Sequence, residues 1–319
     1  MLAGPDLELF TAGVQNATES QSGDGLDAAL AELGWVDALE EDRRAAVSVL
    51  FECQGSAHAT SSALDRVLLG ALGVVADATL PVCLPPLREA GPSAVLTDGR
   101  CTVRGVARQG MTRRSRTVVV AAVEGGYRAL SVPPDALEHR VVEGIDPALA
   151  LLEVHGDIDL AVAERLGDAA WDEAVALGQL ALAHELVGAA RAMLELARQH
   201  TLDRVQFGRS ISTFQAVRHR LADAFVAVEA VAALLDEAWL DPTAFGAMGK
   251  AFAGREARLV AKQAQQVLAG IGFTAEHPFH HYVRRVLILD QLLGAGSLLT
   301  RRLGATVLRS GDLPREFPL

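Results

Sequence analysis

The sequence predicts a mostly α-helical protein with a small β-domain set between two helical regions. Three observations predict it. Alanine and leucine dominate a chain that is 50% hydrophobic and only 5% aromatic, a composition suited to packed helices rather than an all-β fold. Apolar residues recur at helical spacing before about residue 80 and again after about residue 159. The stretch between is rich in Val, Thr, Gly and Pro, and such stretches form strands and turns. At 319 residues the chain can hold two or three domains. The pattern divides it into residues 1–79, 80–158 and 159–319.

In the first region Ala28, Leu30, Leu33 and Val36 begin an apolar series, and Ala46, Val49, Leu50 and Cys53 continue one. Ala63, Val67, Leu68 and Leu72 form a further stripe at helical spacing. In the second, Cys101-Thr-Val-Arg-Gly and Thr117-Val-Val-Val-Ala-Ala-Val read as strands, and Glu124-Gly125-Gly126 between apolar runs reads as a hairpin turn. Five or six short strands fit here, with Gly144-Ile-Asp-Pro147 near their end. In the third, Leu182, Leu186, Ala189, Met193 and Ala197 share one helix face. Phe214, Val217, Leu221, Ala224, Val228, Val231 and Leu235 repeat that register. A third helix spans about Thr243 to Leu268 and stops at Ala269-Gly270-Ile271-Gly272, and a fourth lies near Pro278 to Leu293. Long amphipathic helices with short connections predict a four-helix bundle over residues 159–319.

Charge and cysteine usage exclude several functions. A net charge of −11 is a poor basis for binding a phosphate backbone, so nucleic acid is not an expected partner. Arg113, Arg114 and Arg116, and the pair Arg284 and Arg285, read as solvated or ion-paired surface. Cys53, Cys83 and Cys101 fit neither a zinc motif nor a disulfide framework, which points to a reduced, cytoplasmic compartment. The opening MLAGPDLELF lacks the basic-then-apolar order of a signal peptide, and no uncharged run reaches membrane-span length. A soluble protein is the expectation.

The segment from Leu202 to Asp223 resembles the signature of the acyl-CoA dehydrogenase family. That signature reads R-x-x-F-G-x-x-I/L-x-x-x-Q, followed by a helix containing L-A-D/E. Here Arg204, Phe207, Gly208, Ile211, Gln215 and Leu221-Ala222-Asp223 fill it. Lys250-Ala-Phe-Ala-Gly254 looks like the next helix of the family. The stretch from Gln266 to Pro278 resembles its Q-x-x-G-G-x-G-F/Y-x-x-E-x-P pattern, with one glycine replaced by Ala269. The match covers about 120 residues, and the order helical, β, helical agrees with the family's fold. The resemblance implies FAD shared at a subunit interface, with the C-terminal bundle of one subunit reaching the cofactor held by another. Carried over by position, Arg204 would contact the pyrophosphate, where a guanidinium fork suits phosphate oxygens. Phe207 would pack on the cofactor, and Phe214 and Gln215 would line its adenosine side. Gln266 and Gly270 would approach the other end, glycine allowing close backbone approach.

The same resemblance shows what is missing. The family removes an acyl α-proton with a glutamate poised in a dry pocket while hydride passes to the flavin. Its commoner position, a Y/F-E-G-T/A motif, corresponds to Leu292-Leu293-Gly294-Ala295, so the glutamate has become Leu293. The alternative position falls close to Gly178, with Gln179 beside it. Glu173, Glu185 and Asp290 are the carboxylates nearby in sequence that a displaced base could use. Nothing between Leu80 and Val123 resembles the S/T-E-P-x-A/G-G-S-D motif that holds flavin and substrate, and the N-terminal helical region is short for the family. No catalytic residue is therefore expected in this chain.

Other constellations are weaker. His277, His280 and His281 are too loosely spaced for a metal site. Ser210 and Ser212 lack a triad context, and Gly270-Ile-Gly272 follows a helix rather than a strand, unlike a Rossmann fingerprint. The pattern of losses is similar to the short, degenerate subunit of actinobacterial α2β2 acyl-CoA dehydrogenases, which act on steroid-derived CoA thioesters in β-oxidation. It implies a non-catalytic subunit giving FAD contacts in trans to a full-length catalytic partner, with an acyl-CoA substrate and an electron-transfer flavoprotein as acceptor. Alternatives are a purely structural scaffold subunit and a homomeric dehydrogenase with a displaced carboxylate.

Overall fold

A computed structural model of the chain describes residues 4–73, 79–144 and 146–311. Ile145, inside the Gly144–Pro147 segment singled out above, and the first three residues of the N-terminus lie outside the described residues.

Five helices open the chain: α1 (Pro5–Ser20), α2 (Asp24–Glu32), α3 (Trp35–Glu41), α4 (Arg43–Ala57) and α5 (Ala63–Ala71). The series Ala28, Leu30, Leu33, Val36 does not form one helix face. Gly34, at φ 70°, ends α2, leaving Leu33 exposed and turning Trp35 inward, where its Nε1 donates to the Ala46 carbonyl at 3.0 Å. Asp42 caps α4 by accepting from the Ala45 amide at 3.1 Å. The Ala63, Val67, Leu68, Leu72 stripe is buried as its spacing predicts.

Seven strands follow: β1 (Ala94–Thr97), β2 (Arg100–Arg108), β3 (Thr117–Val123), β4 (Gly126–Val132), β5 (Glu138–Val141), β6 (Leu151–Asp159) and β7 (Glu164–Asp168). They form one sheet in the order β5-β6-β2-β1-β3-β4-β7, antiparallel except for β1 beside β3. The Glu124–Gly125 hairpin forms as read, Val123 pairing with Gly126 around a turn in which Gly125 holds φ 80°. Strand alternation divides the sheet's residues between two cores. Val118 and Val120 join the helices, whereas Val119 and Ala121 pack with Cys83, Cys101, Val132 and Leu152 on the other face. The sheet runs past residue 158, because β7 returns to pair with β4 before the helices resume.

The C-terminal part contains α6 (Trp171–Asp203), a hairpin of β8 (Val205–Gln206) and β9 (Arg209–Ser210), α7 (Gln215–Ala238), α8 (Pro242–Leu268), α9 (Phe279–Leu289) and α10 (Gly296–Ser310). From Trp171 to Ala190 α6 is buried almost all round, since α4 and α5 pack on one side and α7, α8 and α9 on others. Its contact with α4 is backbone to backbone. A Cβ at Gly188 would collide with the Glu52 carbonyl, and one at Gly55 with the Glu185 carbonyl. The fourth helix stops at Leu289, short of Leu293, and α10 adds a helix beyond the expected four. No helix among the described residues is long and apolar enough to cross a membrane.

Candidate functional site

Helices α6 and α8 end, and α7 and α9 begin, at one end of the bundle. Arg220 on α7 bonds Gln263 on α8 at 2.8 Å, and His277 beside α9 presses on His200 in the last turn of α6, helping to hold its pKa below the ordinary value after burial. The six residues matched to the cofactor signature sit at this end. Arg204 caps α6 and leads into the β8–β9 hairpin, whose two-residue turn is Phe207 (φ 55°) and Gly208 (φ 76°). Two positive φ angles make a tight hairpin turn, ordinarily an Asn-Gly position. Phe207 is 91% exposed there, and it meets Phe214 edge-on at 6.0 Å between centroids. Arg209 stacks its guanidinium 4.4 Å above the Phe214 ring. Ser210 fixes the hairpin rather than reacting, its Oγ lying 2.7 Å from both the Thr201 carbonyl and the Ser212 hydroxyl. Gln215 opens α7 immediately after Phe214. Gln266 and Gly270 stand at the C-terminal end of α8, both exposed, and a methyl group at Gly270 would meet nothing within 4 Å. The side chains of Arg204, Gln215 and Gln266 have no hydrogen-bond or ion-pair partner among the described residues.

The two positions expected to supply a carboxylate are brought together, and both are apolar. A Cβ on Gly178 would lie 2.6 Å from Leu293 Cδ1 and 2.9 Å from Leu68 Cδ2. Leu293 is fully buried at φ 50°, and its carbonyl accepts from Gln179 Nε2 at 2.9 Å. The loop around Arg88 lies over this turn, exchanging backbone bonds with Gln291 (2.8 Å) and Ala295 (3.3 Å).

None of the three nearby carboxylates reaches that spot. Glu173 is exposed, 3.9 Å from Arg43. Asp290 turns to α8, pairing with Arg258 at 2.6 Å and lying against Gly254. Glu185 is buried in an ion network, where Arg285 Nη1 bonds it at 2.9 Å, Arg285 Nε bonds Asp146 at 2.5 Å, and Gln54 bonds Glu185 at 3.0 Å. Desolvation raises the Glu185 pKa against the pull of Arg285, and it lowers that of His58, beside the network, to about 4 with help from Arg285.

Two groups escape a reading of periodicity. Arg285, read with Arg284 as solvated or ion-paired surface, is ion-paired but fully buried, because α9 turns it inward onto two carboxylates. Lys250, on the packed face of α8, is fully buried and donates to the Asp290 carbonyl at 3.0 Å and the Gly294 carbonyl at 2.7 Å. It thereby ties down both ends of the turn that carries Leu293. Burial lowers its pKa to about 7. A charged residue standing at an apolar helix position was the available signal for both. The rings of His280 and His281 lie tilted with centroids 3.9 Å apart, and no group of three or more His, Cys, Asp or Glu side chains among the described residues could hold a metal ion.

Comparison with known proteins locates this geometry. Residues 167–308 match the model for the acyl-CoA dehydrogenase C-terminal domain. Acyl-CoA dehydrogenase IpdE2 of Mycolicibacterium smegmatis is 38% identical over 129 residues, which is 40% of this chain and 42% of that protein. This chain therefore matches about two fifths of that relative's length. Among solved structures, the ChsE4–ChsE5 complex from Mycobacterium tuberculosis superposes with a TM-score of 0.77 at 19% identity, covering 99% of both chains. A variant of the Tcur3481–Tcur3483 steroid ACAD superposes with a TM-score of 0.75 at 22% identity, covering 96% of both.

Proposed function

From the match of residues 167–308 to the acyl-CoA dehydrogenase C-terminal domain and from the fold shared with that family's solved structures, we propose that the protein is the non-catalytic subunit of a heteromeric, FAD-dependent acyl-CoA dehydrogenase. The observation that carries the proposal is the meeting of Gly178 and Leu293 among leucines. Both places where a base could stand are filled by hydrocarbon, and leucine takes no proton.

The bundle end suits a dinucleotide by its donor set. It presents a guanidinium and two amides with no partner among the described residues, two aromatic rings and an exposed glycine. Phe207 in a left-handed turn, almost wholly exposed, gains little from its own fold beyond its edge contact with Phe214. Arg204 would hold the pyrophosphate, Phe207 would cover the cofactor, and Phe214 and Gln215 would line the adenosine. Gln266 and Gly270 would approach the other end. When bound, FAD supplies the hydride acceptor. The partner supplies the glutamate and the flavin cradle that this chain lacks. The likeness to a steroid ACAD and to the ChsE4–ChsE5 complex supports a bulky, steroid-derived acyl-CoA as substrate and an assembly of two different subunits, for which α2β2 is the proposed form.

The test is expression with and without the catalytic partner. The chain alone is expected to purify colourless and inert, and the complex yellow and active. Arg204→Ala is expected to assemble normally but lose most of its flavin. A chain that is yellow and oxidises acyl-CoA by itself overturns the reading. An Arg204→Ala complex with full flavin content reduces the protein to a scaffold.

A further inference from the structure

A cavity of about 510 Å³ opens far from the bundle end in sequence, between the start of α2, the turn into α5 and the helical turn after β2. No residue of the C-terminal helices lines it. A small apolar recess shares Thr60, Asp65 and Arg108 with it and runs inward to Leu64, Leu292 and Glu185. Asp65 and Arg108, of opposite sign, therefore line both spaces.

They do not pair. Asp65 is only 7% exposed and accepts a single long bond, from the Val82 amide at 3.3 Å. No cation stands within ion-pair distance of it among the described residues. Arg108 makes no side-chain hydrogen bond or ion pair among the described residues, and its Nη1 is buried without a partner. A buried guanidinium nitrogen with nothing to donate to costs stability, and natural structures seldom leave one so. At the mouth, Arg66 and Arg114 likewise carry no ion pair among the described residues, whereas Arg113 is taken by Asp24 at 2.7 Å. Burial raises the Asp65 pKa to about 6, partly opposed by Arg108. Three arginines without an ion pair among the described residues thus line a cavity large enough for a small molecule.

We propose that this cavity binds a small organic anion, a carboxylate or phosphate ester, whose charged group is received by Arg108 with Arg66 and Arg114 at the mouth. Binding of such an anion requires neither flavin nor the partner subunit, so its fate and that of the proposed function are separable.

Binding is read by calorimetry and thermal shift on the purified protein, alone or in its complex, with inorganic phosphate and with succinate as probes. Sodium chloride at equal ionic strength is the control. The expected result is saturable binding of at least one probe above the chloride control. Phosphate alone or succinate alone supports the site and names its head group. Arg108→Met should weaken that binding at least tenfold. Asp65→Asn should tighten it several-fold, because it removes a like charge, whereas a merely structural Asp65 would weaken binding when replaced. The proposal is overturned if neither probe binds above the control, if Arg108→Met binds as the parent does, or if Asp65→Asn binds more weakly.

Discussion

Ala269 ends α8 at φ 53° and ψ −130°, a region where a Cβ is strained. Gly4 and Gly23, at φ 55°, ψ −132° and φ 62°, ψ −136°, adopt the same conformation at the starts of α1 and α2, where glycine makes it free of that strain. The loop keeps a glycine's backbone after losing the glycine. The loss itself was legible, since Ala269 interrupts the Q-x-x-G-G pattern, but the retained φ was not. Ala269→Gly should therefore raise stability by about 1–2 kcal/mol, seen as a higher urea midpoint at unchanged slope, and a lowered midpoint would show the strain to be absent. Lys250 makes a pH prediction. Its folded pKa is lowered from 10.5 to about 7, so between those values the unfolded chain binds the extra proton. Stability from this group thus rises as pH climbs from about 7 toward 10.5, and it is lost as pH falls back. The difference in melting temperature between the parent and Lys250→Met should change with pH across that window and stay flat above it. A difference independent of pH would mean the amine is not desolvated.

At the scale of elements, the spacing of apolar residues located the long helices well and misjudged the short ones. Periodicity finds α6 and α8 because many turns repeat it. It merges α2 with α3 because a break at Gly34 leaves the apolar count unchanged. It cannot find β7, whose burial is slight because it edges the sheet. Nor does it reveal that α4 crosses α6 through Gly55 and Gly188, since a glycine in a helix reads only as a weakness. What joins the N-terminal helices to the bundle is partly electrostatic. Arg285 on α9 binds Glu185 on α6, Asp146 before β6 and the Ala59 carbonyl after α4, all buried. Truncating it leaves two buried carboxylates without their cation. Arg285→Met should cost about 3–5 kcal/mol, measured by denaturant unfolding, and the loss should shrink in acid as the orphaned carboxylates protonate. A loss under 1 kcal/mol would show that water already serves those groups.

For the whole molecule, the order helical, β, helical was legible from composition together with the spacing of apolar residues. The convergence of Gly178 on Leu293 was not, because it joins residues 115 apart in sequence. The family pattern located each position separately, and only the packing of α6 against the turn after α9 shows that they are one place. The bundle end is the other feature of this scale. Leu202, Val205, Phe207, Ile271 and Phe273 are exposed there, with Phe273 at 78%. Several large apolar side chains exposed at one end of a bundle suit an interface. Under the proposed function the partner subunit and its flavin cover it. Phe207→Ser separates stability from assembly. Phe207 touches little in its own chain, so the isolated protein should unfold within about 0.5 kcal/mol of the parent. An aromatic anchor at an interface costs about 2 kcal/mol or more when removed, so association with the catalytic subunit should weaken at least tenfold and flavin should be lost with it. Sedimentation of the mixed subunits at graded concentration reads both. If Phe207→Ser assembles as the parent does and keeps its flavin, the hairpin does not face the partner, and the exposed turn would need another occupant.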